Sequence, residues 1–134
     1  MTKLLIAYFA TGVVFWIGDF LWLGFAAKDF YQGQIGALLR VPPNIPAAIA
    51  FYLLYVVGLV IFGTWRGLEA DAWSKAAIYG ALFGFFAYAT YDLTNYATLK
   101  GWSLPMTLVD IAWGTFVSGT AAALGCVITR ASTT

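Results

Sequence analysis

Long apolar stretches, separated by short clusters of polar and charged residues, are the feature that most constrains the fold of this 134-residue chain. About twenty apolar residues in a helix that rises 1.5 Å per residue are enough to cross the ~30 Å hydrocarbon core of a bilayer. Four stretches reach this length, at about residues 4–27, 46–65, 76–99 and 102–129. The sequence therefore predicts an integral membrane protein in which residues 1–134 form one transmembrane domain.

The composition excludes the main soluble classes. Hydrophobic residues make up 62% of the chain and charged residues 10%, whereas a soluble domain carries roughly a quarter charged residues. Too little polar surface is available to cover a water-soluble globule, which excludes a cytosolic enzyme and a disulfide-rich secreted domain. The net charge is +1 and no basic stripe is present, so membrane lipids rather than nucleic acid are the expected surroundings.

Metal-binding residues are scarce. The chain has one cysteine, Cys126, and no histidine, so the usual ligands of zinc, haem and non-haem iron are missing. Cys126 lies in an apolar stretch, which is typical of a small buried hydrophobic residue. We therefore expect no metal site, and the sequence names no cofactor.

The connections between the stretches predict an all-α fold, a four-helix up-down-up-down bundle. Residues 66–75 and 100–101 are such short links that the helices they join should run antiparallel. The longest connection, residues 28–41, has apolar residues at roughly helical spacing, which is typical of a short helix lying in the membrane interface. A helical extension of the first span is the alternative interpretation of this segment.

Positive charge favours one orientation by a single residue. The side that holds both termini carries Lys3, Arg66, Lys75 and Arg130, and the opposite side carries Lys28, Arg40 and Lys100. Because lysine and arginine concentrate in cytoplasmic loops, both termini are predicted to be cytoplasmic. Tryptophans at span ends, Trp102 among them, are typical of an interfacial aromatic belt.

Small residues mark the expected helix contacts. Gly80 and Gly84 form a G-x-x-x-G pattern on the third span, and Gly114 and Ser118 form a similar pair on the fourth. In lipid, such positions allow two helix backbones to approach closely. The pairs predict either packing inside the monomer or an interface with a second copy or a larger membrane complex.

Three of the six acidic residues, Asp19, Asp92 and Asp110, lie inside the predicted spans, where each ionised side chain costs about 2.5–3.5 kcal/mol. Asp19 is eight residues before the end of the first span, and Asp92 is seven before the end of the third. Asp110 is eight residues after the start of the fourth. Since the helices alternate in direction, all three should lie about 10–12 Å below the same membrane face.

Polar-tipped side chains surround these acids at the same predicted depth. The further candidate binding residues are Asn95, Tyr52, Tyr55, Tyr88, Tyr91, Trp22 and Trp113. Several stand three residues from an acid, and residues at that spacing share a helix face. No lysine or arginine lies inside a span, so we expect at least one acid to be protonated unless a cation, or Lys28 or Lys100 reaching inward, neutralises it. The pattern predicts a ligand, cation or proton site centred on Asp92. The alternative is hydrogen bonds that only set the bundle register.

A distinctive run of polar and aromatic residues ends the third span. Residues 91–99 read Tyr-Asp-Leu-Thr-Asn-Tyr-Ala-Thr-Leu and are followed by Trp102 and by Asp-Ile-Ala-Trp-Gly at 110–114. This run, together with Asp-Phe-Leu-Trp-Leu at 19–23 and Tyr31, resembles a bacterial family of small four-span membrane proteins catalogued as domain of unknown function 2177. The resemblance covers essentially the whole chain. It implies four membrane helices and a bacterial inner-membrane location, and it implies no activity and no ligand.

Three functions fit these observations. The first is a small polytopic inner-membrane protein that binds a small amphipathic or cationic ligand at the predicted pocket, with or without proton coupling. The second is an accessory or structural subunit of a larger membrane complex, in which the acids matter only for stability. The third is a membrane enzyme acting on a lipid or isoprenoid. It ranks last because no nucleophile–base pair, phosphate-binding glycine loop or metal cluster accompanies the acids.

Overall fold

The computed structural model describes residues 1–133, and its regular structure is helical. The structure is 89% helical and contains no strand in this range, which confirms the predicted all-α class. The α-helices are α1 Thr2–Leu21, α2 Lys28–Ile35, α3 Ile45–Leu59, α4 Trp65–Ala70, α5 Trp73–Thr98 and α6 Leu104–Thr133. Single π-helical turns extend α1 over Trp22–Ala26 and join α3 to α4 over Val60–Thr64.

Three continuous helical segments are long and apolar enough to cross a membrane: Thr2–Ala26, Ile45–Ala70 and Leu104–Thr133. They correspond to the first, second and fourth predicted spans. Helix α5 has 26 residues, enough for about 39 Å, but it is less apolar because it carries Lys75 near its start and the polar run Asp92–Asn95 near its end. The chain is therefore a membrane protein with apolar helices, and three segments of its described part meet both the length and the hydropathy expected of a span.

Local side-chain chemistry explains where α3 and α6 begin. The Asn44 side chain accepts a hydrogen bond from the Ala47 backbone N–H at 3.1 Å, and Pro46 follows in the first turn, where a missing N–H is harmless. The Ser103 hydroxyl accepts a hydrogen bond from the Met106 N–H at 3.1 Å, and Pro105 follows it in the same way. Both helices are thus capped at the end that approaches the same side of the molecule.

The connection after α1 forms a helix of its own. The π-helical turn ends at Ala27, whose φ of −115° and ψ of 7° break the helical path before α2 begins. A single 3-10 turn, Gly36–Leu38, follows α2. Ile35 of α2 is buried, and the Ser103 hydroxyl is hydrogen-bonded to the Gln34 side chain. Of the two interpretations of residues 28–41, the structure has the separate short helix rather than an extension of α1.

Helices α5 and α6 touch through the small residues that the sequence singles out. A Cβ added at Gly80 would lie 2.5 Å from the Ala122 Cβ, and one added at Gly84 would lie 2.5 Å from the Ser118 Oγ. Gly84 also lies directly against the carbonyl of Gly114. Residue numbers increase along α5 while those of the contacting residues decrease along α6, so the two helices run antiparallel. These small residues are therefore packed against each other inside the chain.

The same close packing continues across the α3–α4 segment. A Cβ at Gly63 would lie 2.9 Å from the Gly80 Cα, and a Cβ at Gly67 would lie 2.5 Å from the Ala76 Cβ. Larger side chains fill the opposite half of the molecule, where the Phe15 ring is fully buried and stacks on Tyr55 at a centroid distance of 4.8 Å. Helices that are held together by backbone contact at one end and by large aromatic rings at the other leave room for a cavity between the rings.

Candidate functional site

A cavity of about 490 Å³ lies between α1, α2, α3, α5 and α6, within the range of pockets that hold small organic ligands. It lies toward the end of the molecule that carries the α1–α3 connection and the α5–α6 link. Seven of the ten candidate residues from the sequence line it: Asp19, Tyr52, Tyr55, Tyr88, Tyr91, Asp92 and Asp110. The structure thus brings the three acids, from three different helices, to one cavity.

The Asp19 carboxylate is fully engaged in hydrogen bonds within the protein. Its Oδ1 accepts from the Trp113 indole N–H at 3.0 Å, and its Oδ2 accepts from the Tyr52 hydroxyl. Only 4% of the residue is exposed. Because these two donors lie on α6 and α3, the carboxylate ties three helices together and sets their register.

Asp110 is engaged on one side only, by a residue of the short helix α2. The Tyr31 hydroxyl donates to Asp110 Oδ1 at 2.7 Å and accepts from the Trp22 indole N–H at 3.2 Å. Burial raises the pKa of Tyr31 far above its ordinary value, so its hydroxyl stays protonated and keeps donating. Trp22 in turn stacks on Trp113 at a centroid distance of 4.5 Å. The two tryptophans do not line the cavity, and they hydrogen-bond to two residues that do, Tyr31 and Asp19.

Asp92 receives no hydrogen bond from any of the described residues. The residue is fully buried, and neither carboxyl oxygen has a hydrogen-bond partner. Its carboxyl group lies close to that of Asp110 on the cavity wall. In residues 1–133 the buried side-chain polar atoms without a partner are these two oxygens and the indole nitrogen of Trp102. All three belong to residues that line the same cavity.

Asn95 is the third candidate, besides Trp22 and Trp113, that does not line the cavity. It stands three residues after Asp92 on α5 and is partly buried, but it is not among the lining residues. Residues three apart on a helix share a face only approximately, because they differ by about 60° in direction. Asn95 also lies nearly one turn beyond Asp92, toward the end of α5.

Sequence reasoning missed several lining residues, above all Tyr31 and Trp102. Tyr31 comes from the connection, where the spacing of Tyr31, Ile35 and Leu39 was the available signal, since all three point into the cavity. Trp102 matched the pattern of an aromatic belt, and its unpartnered indole nitrogen is visible only in three dimensions. The other lining residues are apolar: Leu23, Phe51, Ala87 and Met106.

The cationic residues near this end do not neutralise the acids. Lys28 and Lys100 are exposed and do not line the cavity. The ion pairs in the described part of the chain lie elsewhere, between Arg130 and Asp71 at 2.8 Å and between Arg66 and Glu69 at 3.4 Å. Within residues 1–133 the acids also do not form a cluster of three ligands able to hold a metal ion. Asp92 and Asp110 lie close together on the wall, whereas both oxygens of Asp19 are bonded to Tyr52 and Trp113.

A family model described as a predicted membrane protein, DUF2177, matches residues 4–127, nearly the whole chain. No curated protein and no solved structure matches the chain.

Proposed function

Since this chain belongs to the DUF2177 family of predicted membrane proteins, we propose that it acts in the membrane by binding a small amphipathic or cationic ligand in the cavity around Asp92. The observation that supports this proposal is the grouping of unpartnered atoms. The buried side-chain polar atoms that lack a partner in residues 1–133 all belong to lining residues of one cavity. Each such atom costs about 1–3 kcal/mol unless something bonds to it, and a ligand in the cavity would recover that cost.

The different hydrogen bonding of Asp19 and Asp92 supports ligand binding over a purely structural role for Asp92. A carboxylate that only sets helix register should have donors on neighbouring helices, as Asp19 has from Tyr52 and Trp113. Asp92 has none, although it is fully buried. Because Asp92 faces Asp110, the pair could share one proton in the absence of a cation. Exchange of that proton for a bound cation is the form of proton coupling that we propose.

The proposed setting is an up-down-up-down bundle of four membrane spans, with α5 as the third. The antiparallel contacts of α5 with α6 support this topology, as do the short links at either end of α5. Helix α2 would lie in the interface, above the cavity. If the protein lies in a bacterial inner membrane with both termini on the cytoplasmic side, the cavity opens toward the outer face of that membrane.

Labelling of single cysteines tests this topology. Lys75→Cys and Lys100→Cys, each combined with Cys126→Ser, introduce a thiol at either end of α5. We expect an impermeant maleimide to label the Lys100→Cys protein on intact cells, and the Lys75→Cys protein only after permeabilisation. Labelling of both from the same side would mean that α5 does not cross the membrane, and the four-span bundle would be wrong.

A native mass spectrum of the protein, extracted from its own membranes in mild detergent, tests the binding proposal. We expect a stoichiometric small-molecule adduct that is lost in Asp92→Asn and retained in the control Asp29→Asn, since Asp29 is exposed on α2. A bare chain in both variants and in the wild type would count against ligand binding. A chain that carries heavier protein partners and no small molecule would favour an accessory subunit of a larger complex.

A further inference from the structure

The hydrogen-bonding groups around the cavity define what a ligand must supply. At its centre the wall offers acceptors: both oxygens of Asp92 and the second oxygen of Asp110, whose first oxygen is engaged by Tyr31. Among the described residues, no lysine or arginine lines the wall. A ligand that satisfies Asp92 must therefore bring its own donors, and a ligand with a carboxylate or phosphate would be repelled.

We propose that the ligand is a protonated primary or secondary amine on an apolar body, with its N–H groups donating to Asp92 and Asp110. This proposal rests on the ligand-binding function proposed above and narrows its chemical class. An ammonium group with two or more N–H donors can reach both carboxyl groups at once. It also supplies the positive charge that the two acids lack in their surroundings.

A neutral alcohol and a quaternary ammonium each meet only half of this requirement. The alcohol has one donor and no charge, so it leaves an acceptor of Asp92 unpaired and the acids uncompensated. The quaternary ammonium has the charge but no N–H, so neither Asp92 oxygen gains a hydrogen bond. Hydrogen bonds to charged groups are roughly twice as strong as neutral ones, so a protonated amine gains most from this wall.

The remainder of the wall fits the other parts of such a molecule. Tyr88 and Tyr91 lie on the same helix as Asp92, one turn before it and directly before it, and both line the cavity. Aromatic faces attract organic cations by about 0.5–2 kcal/mol. Around them the lining is apolar, from Leu23, Ile35, Leu39, Phe51 and Met106. The cavity volume of about 490 Å³ admits an amine with a ring or a short branched chain.

Three matched probes test the proposal on the purified full-length protein in nanodiscs of phosphatidylcholine: 4-phenylbutylamine, its N,N,N-trimethyl derivative and 4-phenylbutan-1-ol. Titration calorimetry, with empty nanodiscs subtracted to remove lipid partitioning, gives the dissociation constants. We expect the amine to bind roughly tenfold or more tightly than the other two. Asp92→Asn should remove that preference, and Asp29→Asn should retain it.

The outcomes separate this proposal from the broader one. Equal binding of the three probes, lost in Asp92→Asn, would overturn the amine assignment and leave a ligand site at Asp92. Tighter binding of the quaternary probe would likewise overturn it, since charge alone would then decide. No binding of any probe would overturn the amine assignment, and a bare chain in the native mass spectrum in addition would overturn both proposals.

Discussion

Asp19→Asn should destabilise this protein and Asp92→Asn should not, although both replace a buried carboxyl group by an amide of the same shape. Asp19 accepts hydrogen bonds from Trp113 and Tyr52, and the amide would present an N–H₂ to one of these donors. The loss of one of these two hydrogen bonds should lower the free energy of unfolding by about 2 kcal/mol. Asp92 accepts no hydrogen bond within residues 1–133. Its replacement should leave that free energy unchanged or raise it by about 1 kcal/mol, because an unpaired buried acceptor is removed and the amide could donate to Asp110.

Thermal unfolding in a mild detergent, followed by circular dichroism, measures the two effects under the same conditions. Asp29→Asn is the control, since it makes the same change on the exposed surface of α2 and should leave the midpoint unchanged. A loss in Asp92→Asn as large as that in Asp19→Asn would show that Asp92 also holds the fold together. The case for Asp92 as a ligand group would then lose its main support.

Gly84→Ala should lower the free energy of unfolding of the protein by about 2–3 kcal/mol. Its Cβ would lie 2.5 Å from the Ser118 Oγ and 2.6 Å from the Ser118 Cβ, and would overlap the carbonyl oxygen of Gly114. A backbone atom cannot move aside as the end of a flexible side chain can, so α5 and α6 would have to separate. Thermal unfolding in the same detergent measures the loss.

Gly24→Ala is the matched control for this change. A Cβ at Gly24 meets nothing within 4 Å, and alanine is favoured over glycine in a helix by up to about 1 kcal/mol. This variant should therefore be as stable as the wild type or more so. If Gly84→Ala unfolds at the wild-type temperature, the close approach of α5 to α6 is wrong. The cavity would be affected with it, because Gly114 on the same seam supports the Tyr88 ring.

Depth in the membrane is the part of the site that sequence reasoning could predict. A helix advances a constant 1.5 Å per residue, so the distance of each acid from the end of its span follows from counting. Asp19, Asp92 and Asp110 do line one cavity, as that counting suggested. The small residues of the third and fourth spans could be predicted as contacts for a similar reason, since only a short side chain allows two backbones to approach.

The sequence predicts less well which side of each helix faces the cavity. Asn95 shares the depth of the acids to within a turn, yet it does not line the cavity. Trp22 and Trp113 were expected at the site itself, but they stack on each other behind it. In a helix whose composition is apolar on every side, the sequence contains no strong signal for which face turns inward, because lipid and the protein interior favour similar side chains.

The sequence by itself determined the membrane class, the all-helical fold and the level at which the acids gather, because these depend on composition, length and a fixed rise per residue. Only the tertiary structure decided which acid is bonded and which is not. Asp19 receives its donors from α3 and α6, Asp110 receives its donor from Tyr31 in a connecting helix, and Asp92 receives none. Hydrogen-bond partners 33 to 94 positions apart in the chain meet only after the helices pack, so no local pattern could have told the bonded acids from the free one.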